Sequence, residues 1–380
     1  MKILFLVYHG FSEASGISKK IRSQVKGLRE NGHDVHVCYY DFSADGHRCR
    51  YVDDTVIQDY GTGLHAAIRQ RYDYGCVYKY CAGNGIDLVY ARSFMNATPQ
   101  LARLFARLRK SGIKTVTEIP TYPYDGEFAG FPLKERIRLF VDKMFRRRLA
   151  KEMSAIVTFS DAEYIFGCKT VNISNGIDLD SIPIHECRHR DNAVHLIGVA
   201  EVHYWHGYDR LIAGLGEYYA KPGTRRNVYF HIVGGVGESE MHGSAHAPGF
   251  ACIIKKYGIE KNVVFHGQLF GTELDRVFDS CVFAVGSLGR HRSGITSIKT
   301  LKNREYAARG IPFAYSECDS DFDGRRYVLK VPADESPINI GSIIEFIESH
   351  DFQPSDIRDT VSDLSWKTQM KRVVDAVNKM

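Results

Sequence analysis

No apolar run in the chain comes near the roughly 18 residues that a membrane-spanning helix needs, which leaves only peripheral contact with a bilayer. The opening segment MKILFLVYHGF carries one lysine and an apolar run too short for a signal peptide, so it is expected to be a first strand. Nine cysteines include no C-x-x-C pair, and their odd total fits no closed disulfide framework. Reduced thiols in a cytoplasm are the expectation. A dinucleotide fingerprint is also missing. Gly10 and Gly16 flank the first loop without G-x-G-x-x-G spacing, which argues against a nicotinamide or flavin cofactor. There is no internal repeat or low-complexity tract. The net charge of +5 is mild and unevenly spread, so local patches inform more than the total.

What is present is an ordinary globular composition, 44% hydrophobic and 25% charged, with 34 glycines suited to many tight strand-to-helix turns. A length of 380 residues allows two domains, each burying its own core. KILFLVY is continuously apolar, as in a parallel strand buried on both faces, and is followed by a polar loop, a helix over 17–31 and the strand GHDVHVCYY. IDLVYAR, KTVTEIP and SAIVTFS continue the alternation, and VHLIGVA restarts it. The pattern predicts α/β architecture with parallel sheets whose carboxyl edges bind ligands, and Arg92 and Glu118 fall at such edges. Residues 48–82 carry a weaker pattern, with one helix around LHAAIRQRYDY.

The most informative stretch runs from Ser293 to Tyr315, SGITSIKTLKNREYAARGIPFAY. It reads as a polar loop, a basic helix over 297–309, and a Gly310-Ile311-Pro312 turn into a short strand. A helix starting in a polar loop offers unpaired N–H groups to a diphosphate, and Lys299 and Lys302 add charge there. Glu305, farther along, is placed to accept hydrogen bonds from a ribose.

The segment K-x-x-E-Y-A-A-R-G-I-P resembles the donor-binding helix of GT-B glycosyltransferases of the family-four type, in which a Glu-x7-Glu pair precedes a Gly-x-Pro turn. The second Glu matches Glu305, the ribose-holding residue in that family, whereas Ser297 replaces the first. The resemblance implies two Rossmann-like parallel-sheet domains facing a central cleft. It implies an acceptor-binding domain over 1–180, a linker over 181–193, a nucleotide-sugar domain over 194–362, and a helix over 363–380 crossing back. Asn175-Gly176-Ile177-Asp178 is similar to the family's hinge entry. Gly16 would sit at the cleft floor, Gly235 at the cleft edge, and His266-Gly267 beside the base. In W-H-G-Y-D-R-L, similar to bacterial surface-polysaccharide transferases, His206 stands where the family has a Lys before Gly207, and Glu201 or its neighbour replaces an Arg. The donor phosphates are therefore expected on Arg292, Lys299, Lys302 and the 293–297 amides, with His206 as a further donor.

In the first domain the resemblance turns the loop TEIPTYPYDGEF toward the acceptor, nominating Arg92, Glu118, Tyr122 and Asp125. Taken without it, the same loop reads as a Pro-stiffened surface turn. Glu118, Lys302 and Glu305 are the expected catalytic set. PLKERIRLFVDKMFRRRLAKEM reads as a helix with Leu133, Ile137, Phe140 and Met144 on an apolar face. Arg146, Arg147 and Arg148 on its other face suit anionic lipid, and one basic helix is too weak a footprint for nucleic acid.

The expected activity is transfer of a sugar from a nucleotide diphosphate to a glycan acceptor, polyprenyl-linked at the inner membrane surface, for capsule or O-antigen. By the resemblance it would be retaining. No cofactor or metal is expected, since no D-x-D or His/Cys cluster with ligand spacing argues for one. Two alternatives stay open, a sugar-nucleotide 2-epimerase and a degenerate GT-B subunit that binds without turnover.

Overall fold

The computed structural model describes residues 1–12, 15–92, 95–125, 132–186, 192–223, 226–244 and 247–380. The chain divides into two compact units, one of Met1–Gly176 with Leu364–Met380, the other of Ile177–Asp363. Residues 187–191 of the expected linker lie outside the described residues, as do Ser93 and residues 126–131, which include the end of the expected acceptor loop.

The first unit runs β1 (Lys2–Leu6), α1 (Gly16–Glu30), β2 (Asp34–Phe42), β3 (Arg48–Val52), β4 (Thr55–Asp59), α2 (Gly63–Tyr72), α3 (Gly75–Gly83), β5 (Leu88–Arg92), α4 (Pro99–Lys110), β6 (Lys114–Ile119), α5 (Leu133–Ala150), β7 (Ala155–Thr158), β8 (Tyr164–Ile165) and β9 (Cys168–Asn172). These strands form one nine-stranded sheet in the order β4-β3-β2-β1-β5-β6-β7-β9-β8, parallel from β2 to β9. Successive side chains alternate between its faces. Leu4 and Leu6 pack with Val77, Leu101 and Phe105 on one side, while Ile3 and Phe5 pack with Ile21 and Val25 on the other. The hairpin β3-β4, antiparallel to β2, is what the weak pattern at 48–82 concealed.

The second unit runs β10 (Val194–Val199), α6 (Tyr208–Ala220), β11 (Val228–Val233), α7 (Glu238–His242), β12 (Gly243–Ser244), β13 (Ala247–Pro248), α8 (Phe250–Tyr257), β14 (Val263–Gly267), α9 (Gly271–Asp279), β15 (Phe283–Val285), α10 (Leu301–Arg309), β16 (Phe313–Tyr315), β17 (Val328–Lys330), α11 (Ile340–Glu348) and α12 (Pro354–Asp359). Six parallel strands lie in the order β14-β11-β10-β15-β16-β17. The order reverses at β10, the position where such sheets open a ligand crevice. A single apolar cluster joins Leu196, Phe230 and Phe283 to Leu211 and Leu215 of α6 and Ile343 of α11.

The last helix, α13 (Trp366–Asn378), belongs to the first unit. Met370 and Val374 bury beside Val25 and Leu28 of α1, Asn31 Nδ2 donates to the Lys367 carbonyl at 2.8 Å, and Lys114 Nζ donates to the Val377 carbonyl at 2.8 Å. The helices approach at Gly27, where a Cβ would lie 2.7 Å from the Trp366 carbonyl carbon and oxygen. In a free helix Gly→Ala gains about 1 kcal/mol, but overpacking costs about 1–3 kcal/mol. Gly27→Ala is therefore expected to lower the urea midpoint, and a raised midpoint would show that α13 does not seat on α1 this closely.

Candidate functional site

In the second unit the loop 286–290 lies between the starts of two helices. Gly207, with φ of +64°, precedes α6, and a Cβ there would strike the Leu288 carbonyl carbon and the Gly289 nitrogen at 2.7 Å. Asn303 Oδ1 lies 2.9 Å from the Cβ position of Gly286. The key helix is shorter than its pattern predicts, beginning at Leu301 with Thr300 as N-cap. Ser297 is instead exposed in an extended segment that bridges Cys318, where Ile298 N–H donates to the Cys318 carbonyl at 2.9 Å. Pairing with a neighbouring segment outcompeted helix propensity there, and the 293–297 amides are not a helix N-terminus.

Lys302 sits in the first turn of α10, and its Nζ is out of solvent with no hydrogen-bond partner among the described residues. Burial, and then the nearby Arg290, lower its pKa to about 7. Glu317, two residues beyond β16, is 2% exposed, and neither carboxyl oxygen has a hydrogen-bond partner among the described residues. Burial raises its pKa to about 7 against the opposing pull of Arg290 and Lys302. His206 is buried beside them. Burial, Lys302 and Arg290 push its pKa far down, so the ring is neutral. Its Nδ1 accepts from the His203 N–H at 2.9 Å, which places the proton on Nε2 as a donor. Arg290, over the Trp205 ring at 5.5 Å, completes the cluster. A buried ammonium and a buried carboxyl without hydrogen-bond partners among the described residues are costly in the absence of a ligand.

The other expected donor residues fare differently. Arg292 is already committed, donating to Asp209 at 2.9 and 2.8 Å, to Glu335 at 3.0 and 3.1 Å, and to the Tyr204 carbonyl at 2.8 Å. It braces the start of α6, and Arg290 takes its expected place beside Lys302. Lys299 lies 3.9 Å from Asp321. Arg304, in the same basic helix, is fully buried on Asp319 at 2.7 and 3.1 Å and on Asp321. Contrary to the sequence reading, D-x-D spacing does occur, at 319–323, and its carboxylates are engaged, Asp323 by Tyr315 Oη at 2.7 Å and Lys330 at 3.0 Å. Glu305 Oε1 accepts from Arg309 Nε and Nη2 at 3.1 and 3.0 Å, and among the described residues Oε2 has no partner. Gly235 packs against the Glu201 carboxylate, and Gly267, with φ of +67°, gives its carbonyl to Gly234 N–H at 2.7 Å. His266 ends a row of stacked imidazoles, His195 to His231 at 2.8 Å and His231 to His266 at 2.9 Å.

In the first unit, Glu118 does not face solvent or an acceptor. It is fully buried, accepting from Gln24 Nε2 at 2.5 Å and Tyr90 Oη at 2.6 Å, with Lys20 at 3.3 Å and Arg92 at 3.5 Å. Burial opposes its charge, but Lys20 and Arg92 hold it below the usual carboxylate range. Its role is to fix Arg92, which lines a cavity of about 500 Å³ at the carboxyl ends of β1, β5 and β6. Tyr122 packs on Phe166, and Asp125 is held by Arg146 at 2.7 and 3.2 Å and by Lys143 at 3.3 Å, so neither lines the cavity. Gly16 opens α1, capped by Ser15 Oγ, which accepts from Ser18 N–H at 3.3 Å. Arg146 is no membrane group, since its charge is met by Asp125 and it stacks on Phe166 at 4.4 Å. Arg147 and Arg148 are exposed, and so is the apolar face of α5 with Leu133, Ile137, Phe140 and Met144.

No protein-family profile and no curated protein sequence matches the chain. Solved structures do. A sucrose-phosphate synthase from Thermosynechococcus elongatus is similar at 14% identity, covering 100% of this chain and 98% of its own, with a TM-score of 0.62. HepE of Anabaena, in complex with UDP-glucose, is similar at 14% identity with full coverage of both chains and a TM-score of 0.59. The catalytic domain of starch synthase IV from Arabidopsis thaliana, bound to ADP and acarbose, is similar at 11% identity over 100% and 98%, with a TM-score of 0.61. The fold is GT-B.

Sequence reasoning about this GT-B chain missed Arg290 and Glu317. Arg290 had a signal, its place in a basic run two residues from Arg292. Glu317 had none, because a carboxylate after a strand is unremarkable until its burial is seen.

Lys302 titrates near 7 against 10.5 unperturbed, so the unfolded chain binds the extra proton between those values and stability rises over pH 7–10. Glu317 titrates near 7 against 4.5, so the folded chain binds the extra proton and stability falls over pH 4.5–7. Lys302→Met should stabilise the free protein at pH 7 by about 1–3 kcal/mol, the cost of an unmet buried donor, and flatten the rise above pH 7. Glu317→Gln should flatten the fall below it. Urea midpoints across pH test both, and an unchanged slope in either variant refutes that assignment.

Proposed function

We propose that the chain is a glycosyltransferase that moves a sugar from a nucleotide diphosphate to a glycan acceptor. The observation that carries this is the dry, partnerless Lys302 ammonium beside Arg290 and the donor Nε2–H of His206, at the starts of α6 and α10. A departing diphosphate gains negative charge in the transition state, and preorganised cations and helix N-termini stabilise it most where water is excluded. Glu305 Oε2 is left for a ribose hydroxyl. HepE in complex with UDP-glucose supports a nucleotide sugar as donor. The reaction is retaining and metal-independent on this reading, as the family-four resemblance implies.

A second reading has a specific observation behind it. Ser297 replaces the family's first Glu and Arg292 is withdrawn into ion pairs, as in a subunit that binds nucleotide without turnover.

We further place the acceptor on a lipid, in capsule or O-antigen synthesis. Support comes from α5, where Leu133, Ile137, Phe140 and Met144 are 56–69% exposed and share one helical face. Arg136, Lys143 and Arg147 flank it on one side, Lys134 and Arg148 on the other, and all five are exposed. An apolar stripe between cations suits the headgroup boundary of an anionic bilayer.

Calorimetry with UDP, GDP, ADP, CMP and dTDP tests the donor site. One nucleotide should bind selectively, and Lys302→Met and Glu305→Ala should each weaken it at least tenfold, or about 1.4 kcal/mol. Binding without turnover over a donor and acceptor panel would favour the second reading, and no binding at all would sink the first. For α5, wild type should co-sediment with phosphatidylglycerol vesicles more than with phosphatidylcholine, and Phe140→Ser with Arg147→Gln should release it. Equal sedimentation of the two proteins removes the membrane claim.

A further inference from the structure

The cavity of the first unit is lined by tyrosines and arginines and, among the described residues, by no Asp or Glu. Arg71, Arg92 and Arg138 reach it. Arg92 has Glu118 only at 3.5 Å, and that carboxylate is shared with Lys20. Arg138 pairs with Glu135 at 2.8 Å. Arg71 has no acidic partner among the described residues, and its guanidinium lies 5.7 Å from the Tyr72 ring centroid.

One layer behind the wall lies Arg50, fully buried. It donates to the Gln70 carbonyl at 2.8 Å and to Tyr60 Oη at 3.4 Å, and its Nη1 has no hydrogen-bond partner among the described residues. Its guanidinium is 5.3 Å from the ring centroids of both Tyr40 and Tyr74, which line the cavity. The charges of Arg50, Arg71 and Arg138 all act on Tyr40, so the three converge there. Tyr8 Oη, on a further lining residue, also lacks a hydrogen-bond partner among the described residues, and Arg92 Nε has only the Glu118 carboxylate at 3.5 Å. Four guanidinium groups with two carboxylates, one of them shared with a lysine, and with Asp142 held behind the wall by Tyr124 Oη at 2.6 Å, leave an excess of positive charge at the cavity. Such an excess is costly unless an anion completes it.

We propose that this cavity takes an acceptor bearing a phosphate, with Arg71, Arg92 and Arg138 on its oxygens and the sugar against the faces of Tyr40 and Tyr74. The inference rests on the transferase reading and deepens it. Guanidinium forks match phosphate geometry bidentately, and tyrosine faces pack on sugar rings. A volume of about 500 Å³ lies within the range that small-molecule sites occupy. The phosphate could belong to a soluble sugar phosphate or to a polyprenyl diphosphate sugar, and the chemistry on the protein side is the same.

The test is binding, measured on the full chain without turnover. Glucose, glucose 6-phosphate and a short-chain polyprenyl diphosphate N-acetylglucosamine are titrated into wild type, Arg71→Gln and Arg138→Gln, with nucleotide affinity as a check of folding. At least one phosphorylated probe should bind and glucose should be at least tenfold weaker. Each variant should lose at least tenfold for that probe while its nucleotide affinity is unchanged. Binding of the soluble probe alone, or of the lipid probe alone, identifies the source. Failure of both phosphorylated probes, equal binding of glucose, or full affinity in both variants overturns the proposal. If nucleotide binding survives that failure, the transferase reading stands, and if nucleotide binding is also absent, both fall.

Discussion

A charge removed from water must find a counter-charge or give up its ionisation, and this constraint sorts the buried ionisable groups of both units. Where the pairing is complete the group is structural. Arg304 is closed by Asp319 and Asp321, Arg292 by Asp209 and Glu335, and Asp125 by Arg146 and Lys143. Where it is incomplete, the group faces a place for a ligand. Among the described residues, Lys302 and Glu317 are unmet in the second unit, and Arg50 and Arg92 are only partly met in the first. By this criterion three expected functional residues become scaffolding, and two unexpected ones become candidates.

The backbone sets where the unmet groups collect. In a parallel sheet every strand ends at the same edge, so the residues just past β1, β5 and β6 gather at one cavity, and those past β15 and β16 at another cluster. Helices then start from that edge with their N–H groups unpaired. The close seat of Gly207 on the 286–290 loop brings the start of α6 to the Lys302 cluster. A buried Glu118 serves the same arrangement from beneath, fixing Arg92 without itself reaching the cavity.

Much of the architecture was legible because its signals are local. Continuous apolar runs such as KILFLVY and VHLIGVA can only be doubly covered strands, and their spacing with helices requires parallel sheets. The K-x-x-E-Y-A-A-R-G-I-P stretch marked the helix around Glu305 and its end at Gly310. Its beginning was misplaced by four residues, because Ser297 and Ile298 pair with the distant Cys318 segment. The α5 helix was legible, while what its apolar face meets was not. Periodicity defines a stripe but not what covers it, and here Leu139, Asp142 and Leu149 turn inward instead.

The sequence by itself determined the fold class, the alternation of strands and helices, and the helix that carries Lys302 and Glu305, since these depend on neighbours within a few turns. Only the tertiary structure decided which charges are paired. Glu118, Arg292 and Asp125 find partners 20 or more residues away, while Lys302 finds none among the described residues. The free energy of a buried charge depends on what surrounds it in space, and side chains distant in the chain supply those surroundings.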